Sequence, residues 1–375
     1  MTSSRMMSVA GTAILCSIMS TLGTGIASAS VILPQRSEAV PLTGNSGVIK
    51  HLQHIVTIGS TVDATNGDQN PYGLTIAPVT SGIIDAGDLL ITNFNNGNPF
   101  NQQGLGTTTE VLHPTPGSSP TRLAQDPRLT GSSAIVTGTN DDFAWVSAFT
   151  ANGVPILGDT ASSGLLAFLT GNGLEQPWGQ TFSGAKGIRG QGAFYVSNST
   201  DGSITRINLP KSGKFTYDKI ITGFSVNHGV PGTVLAPAGL TYDARADVLY
   251  VVDSNSDRLV AFLHPGKFRA GGVQVTPSGG FTGQFAGWAR VVFAGKPLAA
   301  PISAALLFNG DVVVGNTANN RLIEITPAGK WVGNKNLDTG APGALFGIAA
   351  SGTSISNTQI FFNDDNTNTV DVLQM

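Results

Sequence analysis

APAGLTYDARADVLYVVDSNSDRLVAFLHP (residues 236–265) divides into three short apolar runs separated by two polar turns, and its parts recur along the chain. Its middle run ends in Asp253, and most other copies also close on Asn or Asp: LLITN at Asn93, FYVSN at Asn198, VVVGN at Asn316 and IFFND at Asp364. FAWVSAF supplies a further copy with Ala148 at the marked position. The intervals between marked residues are then 55, 50, 55, 63 and 48, which makes six units.

A second regularity supports this alignment. Six residues after the mark an apolar side chain stands in four copies (Ile204, Leu259, Leu322, Val370), and nine after it another (Ile207, Phe262, Ile325, Leu373). A fixed offset across a polar turn describes a hairpin whose second strand keeps its register. Ahead of most marked strands lies a further short element, as in PYGLTIAP (71–78), PWGQTFS (177–183), PAGLTYD (237–243), PISAALLF (301–308) and LFGIAAS (345–351).

Three visible strands and a more variable fourth, repeated about every 50 residues, predict a β-propeller blade. The expected fold is all-β: a six-bladed β-propeller of four-stranded antiparallel blades over residues 48–375. The last unit stops after its third strand, so HIVTIGS (54–60) is free to complete it and close the ring without an exposed edge. A β-sandwich or a right-handed β-helix is the alternative, but neither predicts six equal units of this length. Residues 95–106 and 150–164 read as Gly/Asn-rich inserts of units 1 and 2, and residues 264–299 as the longest connection.

Charged residues make up only 11% of the chain, while Gly accounts for 48 of 375 residues. Regular Val, Ile, Leu, Phe and Tyr in the strands point to many tight turns rather than disorder. The first residues have the parts of a secretory signal: Arg5, an apolar stretch to Ile26, and Ala27-Ser28-Ala29 as a cleavage site. Export with cleavage after Ala29 is expected, followed by a leader over 30–47, with no membrane span in the mature chain. The only cysteine, Cys16, lies in that signal, so the mature chain has no disulfide, thiolate metal site or Cys nucleophile. It carries 19 basic and 23 acidic residues, a net charge of −4 that offers no footprint for nucleic acid.

Alternating strand direction brings the start of each innermost strand and the end of the second to the same face of the ring. That face is where a site is expected. Here the chain resembles the six-bladed propellers that include NHL-repeat proteins, regucalcin/gluconolactonase-type lactonases and strictosidine-synthase-like proteins. The resemblance covers all six units, with PAGLTYDARADVLYVVDSNSDRLVAF the best match. In the lactonases the equivalent stretch begins Asn-Gly-Leu and runs to a strand ending in Asp, and both residues bind the catalytic metal. Asp253 matches that Asp, whereas Ala238 replaces the Asn. The family's Gly-Glu-Gly-Pro stretch and Asn-Asp-Gly motif are not recognisable.

Candidate site residues follow from the repeat. Asn93, Asn198 and Asn316 could hold a ligand at the channel face, and Asp253 and Asp364 a metal; the same side chains could instead cap the turns they open. Tyr72, Trp178 and Phe346 take equivalent positions at the starts of three innermost strands, as an aromatic platform for a ligand or as packing between blades. Of the histidines, His113 and His264 sit in matching LHP turns, and His228 is the candidate general base. No nucleophile elbow, phosphate loop or zinc motif occurs; Asn198-Ser199-Thr200 fits a glycosylation triplet. The leading expectation is therefore a non-catalytic exported scaffold binding a protein, glycan or small molecule through its channel face. No cofactor is expected beyond a divalent cation such as calcium. A metal-dependent lactonase or hydrolase is the alternative, and a structural envelope component the third reading.

Overall fold

The structure is a computed structural model that describes residues 47–97, 99–138, 143–160, 164–184, 192–210 and 214–375. The expected signal segment, 1–29, and all of the leader but Gly47 lie outside the described residues. Among the described residues, no helix is long and apolar enough to cross a membrane.

Six sheets surround a central channel. Blade 1 consists of β2 (Gln69–Ile76), β3 (Leu89–Asn95), β4 (Thr108–Leu112) and β5 (Thr121–Gln125). Blade 2 follows with β6 (Ser132–Thr137), β7 (Ala144–Ala148), β8 (Val154–Leu157) and β9 (Leu165–Leu169). Blade 3 contains β10 (Pro177–Phe182), β11 (Ala193–Asn198), β12 (Ser203–Asn208) and β13 (Thr216–Thr222). Blade 4 is built from β14 (Pro237–Asp243), β15 (Val248–Asp253), β16 (Arg258–Leu263) and β19 (Ala289–Ala294). Blade 5 comprises β20 (Pro301–Leu306), β21 (Val312–Asn316), β22 (Arg321–Ile325) and β23 (Trp331–Asn336). In blade 6, β24 (Leu345–Ser351), β25 (Gln359–Asp364) and β26 (Thr369–Gln374) are completed on the outside by β1 (His54–Ser60), antiparallel to β26. The N-terminal strand thus closes the ring.

In blades 3 to 6 the marked position is the last ladder residue before a four-residue turn, whereas in blade 1 β3 runs on past Asn93 to Asn95. Asn198 pairs with Ser203, Asp253 with Arg258, Asn316 with Arg321 and Asp364 with Thr369. Each turn ends in a left-handed residue, Gly202, Asp257, Asn320 or Asn368, the conformation that lets so short a loop reverse the strand. Ala148 obeys the same rule, bridging to Gly153 across a turn that ends in left-handed Asn152. This corrects one reading of the sequence: residues 150–164 are not an insert, because they contain β8. The stretch looked irregular because its Asn and Gly dominate a strand of only four residues.

The long connection after β16 also has structure. It leaves blade 4, adds β17 (Val273–Val275) and β18 (Phe281–Thr282) to the outer edge of blade 3, and returns to form β19. Buried Arg206 holds its start, donating from Nη1 to the Pro265 and Gly266 carbonyls at 2.9 and 3.0 Å and from Nη2 to Asp218 at 2.7 Å. An Arg206→Leu variant should lose about 2 kcal/mol, since buried carbonyls lose their donors. Limited proteolysis should then cut first within 268–288; an unchanged digestion pattern refutes this anchoring role.

Candidate functional site

Each innermost strand has one ladder partner, so its other edge faces the channel without a neighbouring strand, and near the strand starts side chains such as Thr92 and Ser197 take up some of its backbone groups. The channel encloses about 350 Å³. Polar side chains on its wall include Thr75, Ser133, Gln180, Thr181, Thr241 and Ser303. Among the described residues, Tyr72 is the only titratable side chain that lines it. Two wall atoms, Gln180 Oε1 and Ser303 Oγ, are buried without a hydrogen-bond partner in the protein.

Where the innermost strands begin, the channel is plugged. Tyr72 is sandwiched between Phe94 and Phe346, with ring centroids 4.0 and 3.7 Å away. Trp178 stands at 6.0 Å from Tyr72 and packs edge-on against Phe149 at 5.4 Å. Val234 and Ala236 join the cluster from the loop over residues 223–236. Both faces of the Tyr72 ring are occupied by protein, and burial followed by the nearby Asp365 carboxyl pushes its hydroxyl well above the usual range. The structure thus brings Tyr72, Trp178 and Phe346 together, as the equivalence of their positions suggests, in a packed plug.

Phe94 and Phe149, missed in the sequence, come one residue after the marked Asn93 and Ala148. The position after the mark was the available signal, because it returns the chain toward the axis. In blade 6 it is occupied by Asp365, half-buried, whose carboxyl is raised to about 7 by burial and by Asp364, with Asn70 opposing the shift.

The marked residues themselves are directed into their own blades. Asn93 donates to the Thr61 carbonyl at 2.9 Å and Asn316 to that of Pro297 at 2.9 Å. Asn198 donates to the Gly173 carbonyl at 3.1 Å and accepts from the Glu175 N–H at 3.0 Å. All three side chains are fully buried and hold the connection that enters the blade. Asp253 is buried against Arg258, with Oδ2 at 2.5 Å from Nη2. Asp364 accepts the Asn366 N–H at 3.0 Å, and its carboxyl is raised to about 6 by burial, Asp338 and Asp371. His228 is exposed, with a left-handed backbone, on the loop over 223–236.

Among the described residues, the one group of three Asp, Glu or His side chains with ligand atoms mutually within 4.8 Å is Asp85, Asp88 and His113. It lies in the turns preceding β3 and following β4, outside the channel wall. His113 Nδ1 is 2.6 Å from Asp88, whose hydrogen bond and charge raise the imidazole pKa. His264 repeats the arrangement at 2.9 Å from Asp247. The matching LHP turns therefore each rest on an aspartate that immediately precedes a second strand.

Structural similarity covers nearly the whole ring. Virginiamycin B lyase from Staphylococcus aureus aligns with a TM-score of 0.51 at 15% identity, over 86% of this chain and 98% of its own. A gluconolactonase from Xanthomonas campestris aligns at 0.54 and 10%, over 86% and 97% of the two chains. Regucalcin from Agrobacterium tumefaciens, a calcium-binding protein, aligns at 0.51 and 13%, over 84% and 93%. The shared fold is the six-bladed β-propeller. No protein-family model matches the chain, and no curated protein matches it. At these identities the likeness concerns the fold alone.

Proposed function

We propose that this chain is an exported, non-catalytic binding propeller whose channel accepts a small uncharged ligand. The observation that carries this reading is the wall: among the described residues, no lining side chain is Asp, Glu, His, Lys, Arg or Cys. Backbone edges, hydroxyls and the Gln180 amide can hydrogen-bond an uncharged polar group, while Leu74, Ile135, Leu240 and Ile348 offer it apolar contact. A charged ligand would lose its hydration there without a counter-charge. The amino-terminal sequence pattern supports export.

Trp178 on the channel wall provides the test. Cyclohexanol should shift its emission, whereas cyclohexanecarboxylate and cyclohexylammonium should bind at least about tenfold more weakly, as about 1.4 kcal/mol of uncompensated desolvation requires. The shift should vanish in Trp178→Phe. Equal binding of the charged compounds, or calcium-dependent lactone hydrolysis abolished by Asp364→Ala, overturns the reading.

A further inference from the structure

Exposure rises along the innermost strands. Near their starts Tyr72 and the residues aligned with it, Ser133, Trp178, Ala238 and Ile302, are buried, and only Phe346 is half-buried. Four positions on, Ile76, Thr137, Phe182, Leu306 and Ala350 are half-buried, and only Tyr242 is buried. The plug at the starts has a second layer over it, where residues 99–106 of blade 1 meet the loop over 223–236. A Cβ on Gly104 would stand 3.0 Å from Pro231, and the Tyr72 hydroxyl donates to Gln103 Oε1 at 3.4 Å. Toward the strand ends, among the described residues, only the six innermost strands line the channel.

One buried polar group on this wall lacks a partner. Gln180 stands where the other blades carry Leu74, Ile135, Leu240, Ala304 and Ile348, and it is 4% exposed. Its Nε2 donates to Ser147 Oγ at 2.7 Å, which leaves Oε1 as an acceptor that no donor in the protein reaches. A buried acceptor without a donor is destabilising, and a ligand that brings the donor relieves it. We propose that the channel is a blind pocket for an uncharged amphiphile, an alkyl chain ending in a hydroxyl or similar donor, which enters polar end first from the strand ends and donates to Gln180. This inference rests on the uncharged ligand of the proposed function, and it puts entry opposite to the face where the repeat pattern leads one to expect a site. Gln180 lies two residues, roughly 7 Å, from the strand ends, a depth that a short alkyl chain spans. That chain passes Thr75, Thr181 and Thr241, each with a methyl group beside its hydroxyl, and meets Ile76, Leu306 and Ala350 at the rim.

Trp178 emission reads occupancy. Affinity should rise about fourfold per methylene from n-butanol to n-hexanol. Methyl hexyl ether, which has no donor, should bind about tenfold more weakly than n-hexanol. Gln180→Leu, which takes the residue found in blades 1 and 4, should bring n-hexanol down to the level of the ether and leave the ether unchanged. The side of entry is read by thiol modification in a Cys16→Ser background, since the chain has no other cysteine. Thr75→Cys puts the thiol near the strand ends, and Val230→Cys puts it on the exposed loop outside the plug. At about ten times its Kd, n-hexanol should slow maleimide attack on Thr75→Cys about tenfold, as the free fraction falls, and leave Val230→Cys unaffected. Once modified, Thr75→Cys should lose the emission shift and Val230→Cys should keep it; Thr241→Cys repeats the test from blade 4. Equal binding of n-hexanol and its ether, unchanged n-hexanol affinity in Gln180→Leu, or a shift blocked from Val230→Cys and not from Thr75→Cys overturns this inference and leaves the uncharged-ligand reading standing. Failure of cyclohexanol to shift the emission of the unmodified protein overturns both.

Discussion

Replacing Asp63 with Ala should cost about 3 kcal/mol, the low end for breaking a buried ion pair, because part of the abandoned Arg122 side chain can reach water. Asp63 lies in the segment that leads from the closing strand β1 into blade 1. Its carboxylate accepts the Thr65 and Asn66 N–H groups at 2.8 Å each and the Arg122 Nε at 2.6 Å. Burial opposes its ionisation, but Arg122 and these N–H groups together hold it well below the usual carboxylate range. Glu110, almost fully buried beside it, is affected in the opposite sense: burial and the Asp63 charge raise its carboxyl to about 9. At neutral pH one carboxyl is charged and the other holds the proton between them.

The two groups depend on pH in opposite directions. Asp63, with a lowered folded value, contributes stability above its unfolded pKa and loses it as pH falls. Glu110, with a raised folded value, contributes fully below its unfolded value near 4.5 and loses that contribution as pH rises toward about 9. Glu324, Asp364 and Asp365 are raised only to about 7, 6 and 7, and His113 and Asp371 are raised as well, so Glu110 accounts for that part of a slope between pH 7 and 9 which its replacement removes. Urea midpoints should fall across that interval in the wild type and much less in Glu110→Gln, which should match wild-type stability at pH 7 within about 1 kcal/mol, since an amide replaces a protonated carboxyl. Parallel pH profiles for the two proteins would show that Glu110 is ionised at neutrality.

The repeat was legible because its hairpin is local: the marked residue, the four-residue turn and the return strand all lie within about ten residues. What escaped depends on the ring. The plug takes its aromatic rings from blades 1, 2, 3 and 6 and adds Ala238 and Ile302 of blades 4 and 5, which adjacency in sequence does not reveal. Three buried ionisable side chains were also passed over, although each stands in a third strand between apolar or hydroxyl-bearing neighbours. Arg206 opposite Tyr195 and Glu324 opposite Val313 align with Ala261 opposite Tyr250, and Glu110 takes a comparable place opposite Ile91. Each holds a segment outside the repeat: Arg206 the long connection, Glu324 the N–H groups of Val48 and Ile49 at 2.8 and 2.9 Å, and Glu110 the Asp63 segment. A long ionisable side chain in the middle of a buried strand was the signal, and what it held could be seen only in three dimensions.

The glycine that follows the aromatic position has a role that composition could not supply. Gly73, Gly179, Gly239 and Gly347 lie where neighbouring innermost strands approach, and Ala134 and Ser303 take the place in blades 2 and 5. A Cβ on Gly179 would stand 2.1 Å from the Ala238 carbonyl oxygen. That carbonyl is held in place by Ser197, whose hydroxyl donates to it at 2.7 Å and accepts the Gly179 N–H at 2.8 Å. Thr92 links blades 1 and 2 in the same way, accepting from Gly73 at 2.9 Å and donating to Ser132 at 3.0 Å. Because the ring is closed, blade 3 cannot retreat from blade 4 without crowding blade 2. Gly179→Ala is therefore expected to lose about 3 kcal/mol, the upper part of the range for overpacking. Ala134→Gly, which removes a methyl group from the equivalent place, should lose about 1 kcal/mol through backbone freedom. Urea denaturation of both variants decides the matter: equal losses would mean that the contact between innermost strands can relax and that small residues do not set the bore of the channel.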